Sequence, residues 1–106
     1  MFNLMKNIFI YYTLCKNKKS AKKLALLLLK KKKAVCINIL NNVESYYCEK
    51  NKIKSENEVG VLIKSSIEQK EIFNFVEKNH SYEIPFISKL KTSKVNKKYI
   101  EWSSKK

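Results

Sequence analysis

Apolar residues along this chain change their period from two to about three and a half and back again. The order is β-α-β-β-α-β, with one short helical segment after the last strand. That order predicts an α+β fold of the ferredoxin-like βαββαβ kind with a C-terminal helix: one antiparallel four-stranded sheet carrying two helices on one face. A length of 106 residues suits a single domain, residues 1–106, with its folded core at about residues 7–104. With 44% hydrophobic and 30% charged residues the chain is globular in composition, and six Tyr, five Phe and one Trp give bulk to one modest core.

Residues 7–14, Asn-Ile-Phe-Ile-Tyr-Tyr-Thr-Leu, are β-branched and aromatic and predict a buried first strand. Asn17 is suited to cap the helix that follows. Ala21, Leu24, Ala25 and Leu28 repeat at helical spacing, while Lys18, Lys19, Lys22, Lys23 and Lys30 to Lys33 fall largely elsewhere. Lysines crowding the last turn favour the negative end of the helix dipole; a basic landing patch is the alternative reading of the same run. From Ala34 the period becomes two, with Val35, Ile37 and Ile39 on one side and Ala34, Cys36, Asn38 and Leu40 on the other. Asn41-Asn42 predicts a bend or bulge, because asparagine tolerates left-handed backbone. Extended structure resumes over Val43 to Cys48, Lys50-Asn51 predicts a hairpin turn, and a third strand runs on through Val59-Gly60-Val61-Leu62-Ile63. Ser66 with Gln69, or Ser65 with Glu68, has the form of a capping box for a second helix that buries Ile72, Phe73, Phe75 and Val76 and stops near Asn79. Ile84, Phe86, Ser88 and Leu90 alternate as a last strand, with Pro85 placing it at a strand start or an edge. Asn96 is positioned to cap a terminal helix carrying Tyr99, Ile100 and Trp102.

The second and third strands, 34–48 and 52–65, are long for so small a sheet. Strands that project past two helices expose edge and face, which natural proteins rarely leave unpaired. Self-association through this hairpin is therefore expected.

The net charge is +14, all 23 basic residues are lysine, and all nine acidic residues are glutamate. Arginine is the side chain that makes bidentate guanine and phosphate contacts, so its absence argues against a sequence-reading nucleic-acid protein. Eleven Asn and eleven Ile accompany the lysines, a combination that points to compositional bias and a mainly solvated charge. Cys15, Cys36 and Cys48 are odd in number and lack C-x-x-C spacing, which argues against a disulfide framework or a structural zinc site and for a reducing compartment. Lys6 is the only positive charge before the apolar run Ile8 to Cys15 and no small-residue cleavage site follows, so no leader is expected. The run Leu24 to Leu29 is far short of the roughly 20 residues that span a bilayer. A cytoplasmic protein without a membrane partner is the expectation.

The only histidine and the only proline bracket the stretch His80-Ser81-Tyr82-Glu83-Ile84-Pro85, at the join between the second helix and the last strand. His80 can bind metal or move protons near neutral pH, although a histidine ending a helix also commonly bonds a free carbonyl. Tyr82 and Glu83 point to opposite sides of an extended segment, so one of them at most shares a wall with a given partner. Lys64, ending an apolar strand, is the natural cation to meet Glu83 or an anionic ligand. Gly60 is the only glycine, so there is no glycine-rich phosphate loop, and with no Asp present an enzyme is not expected.

Several stretches in collinear order resemble the CutA family of divalent-cation tolerance proteins. They are Tyr12-Thr13, Ala34-Val35-Cys36-Ile37-Asn38, Val43-Glu44-Ser45-Tyr46-Tyr47, Lys52-Ile53, Glu58-Val59 with Ile63-Lys64, His80 to Pro85, and Tyr99-Ile100-Glu101-Trp102. The resemblance implies a PII-like homotrimer in which long strands pair between subunits, a link to divalent-metal and copper tolerance, and no catalysis. It also implies copper ligands at positions 13, 79 and 80, where this chain has Thr13, Asn79 and His80. A soft metal needs at least two convergent sulfur or nitrogen donors. Any metal site here is therefore expected to be weak, centred on His80 with Cys36 or Glu83, and no cofactor is required. The ligand pocket expected near a subunit interface comprises Tyr47, Lys64, His80, Tyr82, Glu83 and Trp102. The alternatives are an RNA-binding module stacking bases on Tyr11, Tyr12, Tyr46 and Tyr47, and a trimeric scaffold with no ligand.

Overall fold

A computed structural model describes residues 7–105. Lys6, on which the expectation of no leader rests, lies outside the described residues. The elements run β1 (Phe9–Cys15), α1 (Lys18–Lys30), β2 (Cys36–Glu49), β3 (Lys52–Ser65), α2 (Gln69–Asn79), β4 (Ile87–Leu90) and α3 (Lys97–Ser103). The strands form one sheet in the order β2-β3-β1-β4, every neighbouring pair antiparallel, which is the ferredoxin-like arrangement.

The local signals that set this up act as their chemistry predicts. Asn17 accepts the Ser20 amide at 2.8 Å, opening α1. Lys31 ends that helix, and Lys32 takes a left-handed φ of 58° so that the Lys32 and Lys33 amides reach back to the Leu29 and Leu28 carbonyls. This is a Schellman closure with lysine where glycine is usual. Lys50 and Asn51 have φ of 51° and 63°, the two positive angles a two-residue hairpin needs to match strand twist. At Asn41-Asn42 the register slips by one residue between the pairs Leu40–Gly60 and Val43–Glu58, with Asn42 left-handed at 60°. That is the expected bulge.

Period-two alternation then divides the sheet into two faces. Tyr11, Thr13 and Cys15 of β1 and Val59, Val61, Ile63 and Ser65 of β3 are buried beneath the helices. There they meet Ala21, Leu24 and Leu28 of α1 and Ile72 and Val76 of α2. The buried Tyr11 phenol is satisfied by donating to the Ile67 carbonyl at 2.7 Å. The opposite parity puts Tyr12, Gly60, Leu62, Lys64, Cys36, Asn38, Leu40, Ser88 and Leu90 on the open face. A side-chain carbon at Gly60 would sit 3.1 Å from the Tyr12 hydroxyl and 3.4 Å from Leu40, so glycine there lets Tyr12 lie across β3. From Tyr46 to Asn57 every residue is exposed, Ile53 at 81%, and the hairpin gives the protein a longest dimension of 58 Å.

Four expectations are corrected. No capping box opens α2, because Ser65 is fully buried at the end of β3. Its hydroxyl donates to the Lys33 carbonyl and accepts the Ile67 amide, stitching the α1–β2 loop to the start of α2. Phe73 and Phe75 are only partly buried; Phe73 packs edge-on against Tyr11, and Lys33, ion-paired to Glu71, lies over Phe75. The last strand starts at Ile87 rather than Ile84, since residues 81–84 bend, and Ile84 and Phe86 remain exposed. Asn96 precedes α3 at the cap position without a side-chain bond.

Candidate functional site

Two clusters of polar side chains form on opposite faces of the sheet. The first is built where α2 gives way to the loop before β4. His80 follows the last residue of α2 with extended backbone, which turns its ring back onto the end of β1. The Tyr82 amide donates to His80 Nδ1 at 3.0 Å, so that nitrogen carries a lone pair and the ring proton resides on Nε2. Nε2 lies 3.2 Å from Thr13 Oγ1 and 3.8 Å from Cys15 Sγ, and the Leu14 backbone also interacts with the ring. Thr13, wholly buried, donates its own proton to the Phe86 carbonyl at 2.6 Å and so can accept from the imidazole. The Tyr82 ring stacks on His80 at 5.2 Å, and its hydroxyl donates to Glu58 Oε2 at 2.7 Å.

The electrostatics follow from that packing. Burial lowers the His80 pKa, partly offset by the Leu14 bond and the Glu58 charge. Burial and then Glu58 push the Cys15 thiol up to about 11, and burial with the Glu58 bond raises Tyr82. At neutral pH the cluster therefore holds a neutral imidazole, a protonated thiol and an un-ionised phenol. No activated nucleophile is present, because a thiol needs its pKa lowered to react. What the arrangement does is clamp residues 80–86 to β1 and β3.

The second cluster lies on the open face, where α3 covers the sheet. Cys36 and Lys64 are cross-strand partners there. The Lys64 ammonium sits 5.5 Å above the Tyr99 ring, and Trp102 packs on Tyr99 at 5.3 Å with its indole 43% exposed. The Tyr99 hydroxyl is buried against the Cys36 thiol, and burial and then the neighbouring Cys36 raise its pKa. Lysine, thiol, phenol and indole together could hold a small anionic or polar ligand.

The six expected pocket residues are thus divided. His80 and Tyr82 come together, as do Lys64 and Trp102. Tyr47 is apart on the hairpin, donating to Glu56 at 3.1 Å, and Glu83 is exposed on the loop. Cys36 is two strands from β1 on the other face, so the sulfur beside His80 is that of Cys15. Glu58 carries no sequence signal as a site residue, while Cys15 and Tyr99, the one a candidate donor beside His80 and the other a partner of Trp102, lie outside the six expected pocket positions. For Cys36 a signal existed: counting back from the Lys50-Asn51 turn, with one residue skipped at the bulge, sets it opposite Lys64. The donor set does not fit tight copper binding within one protomer. Both His80 nitrogens are engaged, the Cys15 thiol is held protonated, and no group of three His, Cys, Asp or Glu converges among the described residues. Tyr11, counted toward an RNA-stacking surface, is instead in the core.

Comparison with known proteins places this architecture. Residues 9–106 match the family described as CutA1 divalent ion tolerance protein. The divalent-cation tolerance protein CutA of Thermococcus kodakarensis is 32% identical over 97 residues, covering 91% of this chain and 92% of the relative. The chloroplastic protein CutA of Arabidopsis thaliana is 33% identical over 97 residues, but the matched region spans only 53% of that longer protein. Among solved structures, the divalent ion tolerance protein CutA1 of Ehrlichia chaffeensis superposes with a TM-score of 0.88 at 27% identity, covering 96% of each chain.

Proposed function

The chain belongs to the CutA1 divalent ion tolerance family, and from that membership we propose that it acts in divalent-cation tolerance as a cytoplasmic, non-catalytic homotrimer. The open sheet face, the exposed hairpin and the loop before β4 support the assembly, since together they present Leu40, Tyr46, Ile53, Ile84, Phe86 and Leu90 to solvent in the single chain. Light scattering on a size-exclusion column checks it: three chains are expected, and a monomer at micromolar concentration removes the reading.

Within that assembly the ligand site is the cluster under α3, close to the face through which copies meet. The observation that carries this is the convergence of the buried Tyr99 hydroxyl, the Cys36 thiol and the Lys64 ammonium over the Tyr99 ring. A divalent cation recruited by His80 must compete with the Tyr82 amide for Nδ1, which keeps such binding weak. Copper(II) and copper(I) titrations of the wild type, His80→Ala and Cys36→Ser separate the two sites. Loss of the isotherm in Cys36→Ser alone supports the α3 cluster, and loss in His80→Ala alone moves the metal to the clamp. No binding by the wild type leaves the scaffold reading. Indole fluorescence of Trp102 provides the readout for small anions at the same cluster.

A further inference from the structure

Lysine is not spread evenly over this chain. Nine of the 23 lysines lie between Lys16 and Lys33, a stretch with no glutamate at all, and the other fourteen share the remainder with all nine glutamates. Compositional bias alone does not concentrate charge of one sign on one helix. Among the described residues only Lys33 of these nine makes an ion pair, to Glu71; the other eight are exposed. Leu26 and Leu29 are exposed with them, Leu26 at 55%. Helical spacing places Lys22 and Lys30 four residues either side of Leu26, with Lys23 and Leu29 three residues away. The core-facing stripe of α1 is already filled by Ala21, Leu24, Ala25 and Leu28, so these leucines are surplus to the fold. The helix lies on the covered face of the sheet, and an assembly through the open face leaves it outermost.

We propose that the outward face of α1 is a docking surface for an anionic lipid bilayer, with the lysines meeting headgroups and Leu26 and Leu29 entering the acyl boundary. This revises the expectation of no membrane partner. That expectation considered only spanning segments, and no helix among the described residues is long and apolar enough to cross a membrane. Lysines that ring exposed leucines suit a headgroup boundary, whereas an RNA groove calls for stacking aromatics, which this face lacks. The cytoplasmic leaflet carries the required charge.

Sedimentation with vesicles tests it, comparing phosphatidylcholine alone with phosphatidylcholine containing about 30% phosphatidylserine at near-physiological salt. The wild type is expected to bind the anionic vesicles and not the neutral ones. Each lysine near the surface multiplies partitioning about fivefold, so Lys22→Gln/Lys23→Gln/Lys30→Gln lowers it about a hundredfold. Leu26→Gln/Leu29→Gln lowers it by about fivefold or more with the charge unchanged. The control Lys91→Gln/Lys94→Gln/Lys98→Gln removes the same charge elsewhere and leaves most of the binding. All substituted side chains are exposed, and circular dichroism confirms that the folds are equivalent. Absence of wild-type binding overturns the proposal, as does an equal loss in the control triple. Binding unaffected by the leucine changes, together with capture of polyuridylate through the same lysines, replaces the bilayer with RNA.

Discussion

Replacing Thr13 with valine tests the clamp most directly. The side chain is completely buried, and its hydroxyl has two roles at once: it donates to the Phe86 carbonyl at 2.6 Å and faces His80 Nε2 at 3.2 Å. Valine keeps the volume and removes both roles. The Phe86 carbonyl loses its partner, and a methyl group is pressed against an oxygen that had approached to hydrogen-bond distance. The imidazole retains its Leu14 backbone interaction, so its loss is partial. One unsatisfied part-buried acceptor and one weakened bond come to about 2 kcal/mol. Thr13→Ser keeps the hydroxyl and deletes only a buried methyl, which costs about 1 kcal/mol. Urea unfolding at fixed protein concentration measures both, provided the m-value is unchanged, because an oligomer's midpoint moves with concentration. Hydrogen exchange of the Tyr82 amide localises the effect, since that amide is bonded to His80 Nδ1 and should lose protection in the valine variant alone. If serine costs as much as valine, and Tyr82 exchange is the same in both, packing volume rather than the hydroxyl holds the site and the clamp is refuted.

Other outcomes follow from the same geometry. The folded-state pKa of His80 lies below its ordinary value of 6.5, so the protein is held at full stability above that pH. Stability then falls as the pH drops toward the folded pKa, by at most about 1.4 kcal/mol per pH unit from this group. The groups facing the ring are Cys15, Glu58 and Tyr82, and His80→Gln should flatten the acid slope of the midpoint. Lys32 is left-handed at a Schellman closure, so Lys32→Gly should raise stability by about 1 kcal/mol in the same unfolding assay. Iodoacetamide at about pH 8 should modify exposed Cys48 first and Cys15, whose pKa is pushed up to about 11, last, as read by mass spectrometry of peptides.

Signals that act within a few residues were legible in the sequence. The Asn17 cap, the Lys50-Asn51 turn, the Asn41-Asn42 bulge and the two apolar periods are each set by neighbouring residues, and each fixed an element to within a residue or two. The pairs that make the clamp are not of that kind. Thr13 and His80 are 67 residues apart, and Tyr82 and Glu58 are 24 apart, so only the finished packing of α2 against β1 and β3 brings them together. Ser65 misled for a related reason. Its local pattern offered a cap, but its parity on β3 buried it, and tertiary bonding to Lys33 took the hydroxyl first. The late start of β4 reflects the clamp as well. The His80–Tyr82 contact bends residues 81–84 away from the extended line that the alternation of Ile84 and Phe86 suggests.

β1 carries residues to both faces of the sheet, and the packing around Thr13 bears on the role of His80. Thr13 points to the helices and holds Phe86 through its carbonyl, while Tyr12, the next residue, points the other way and lies across Gly60 on the open face. Residues 80–86 therefore leave α2 under the control of His80 and present Ile84 and Phe86 outward, at 88% and 56% exposure, as β4 begins. Apolar side chains so exposed cost free energy unless another surface covers them. In the proposed trimer that cover is a second copy, and the clamp sets the angle at which the loop is offered to it. His80→Ala should accordingly weaken the oligomer on dilution more than it changes ligand binding under α3, because the latter rests on Lys64, Tyr99 and Trp102 at the other end of the sheet. Equal effects on both would mean that loop and pocket are a single unit, and would return His80 to the ligand site itself.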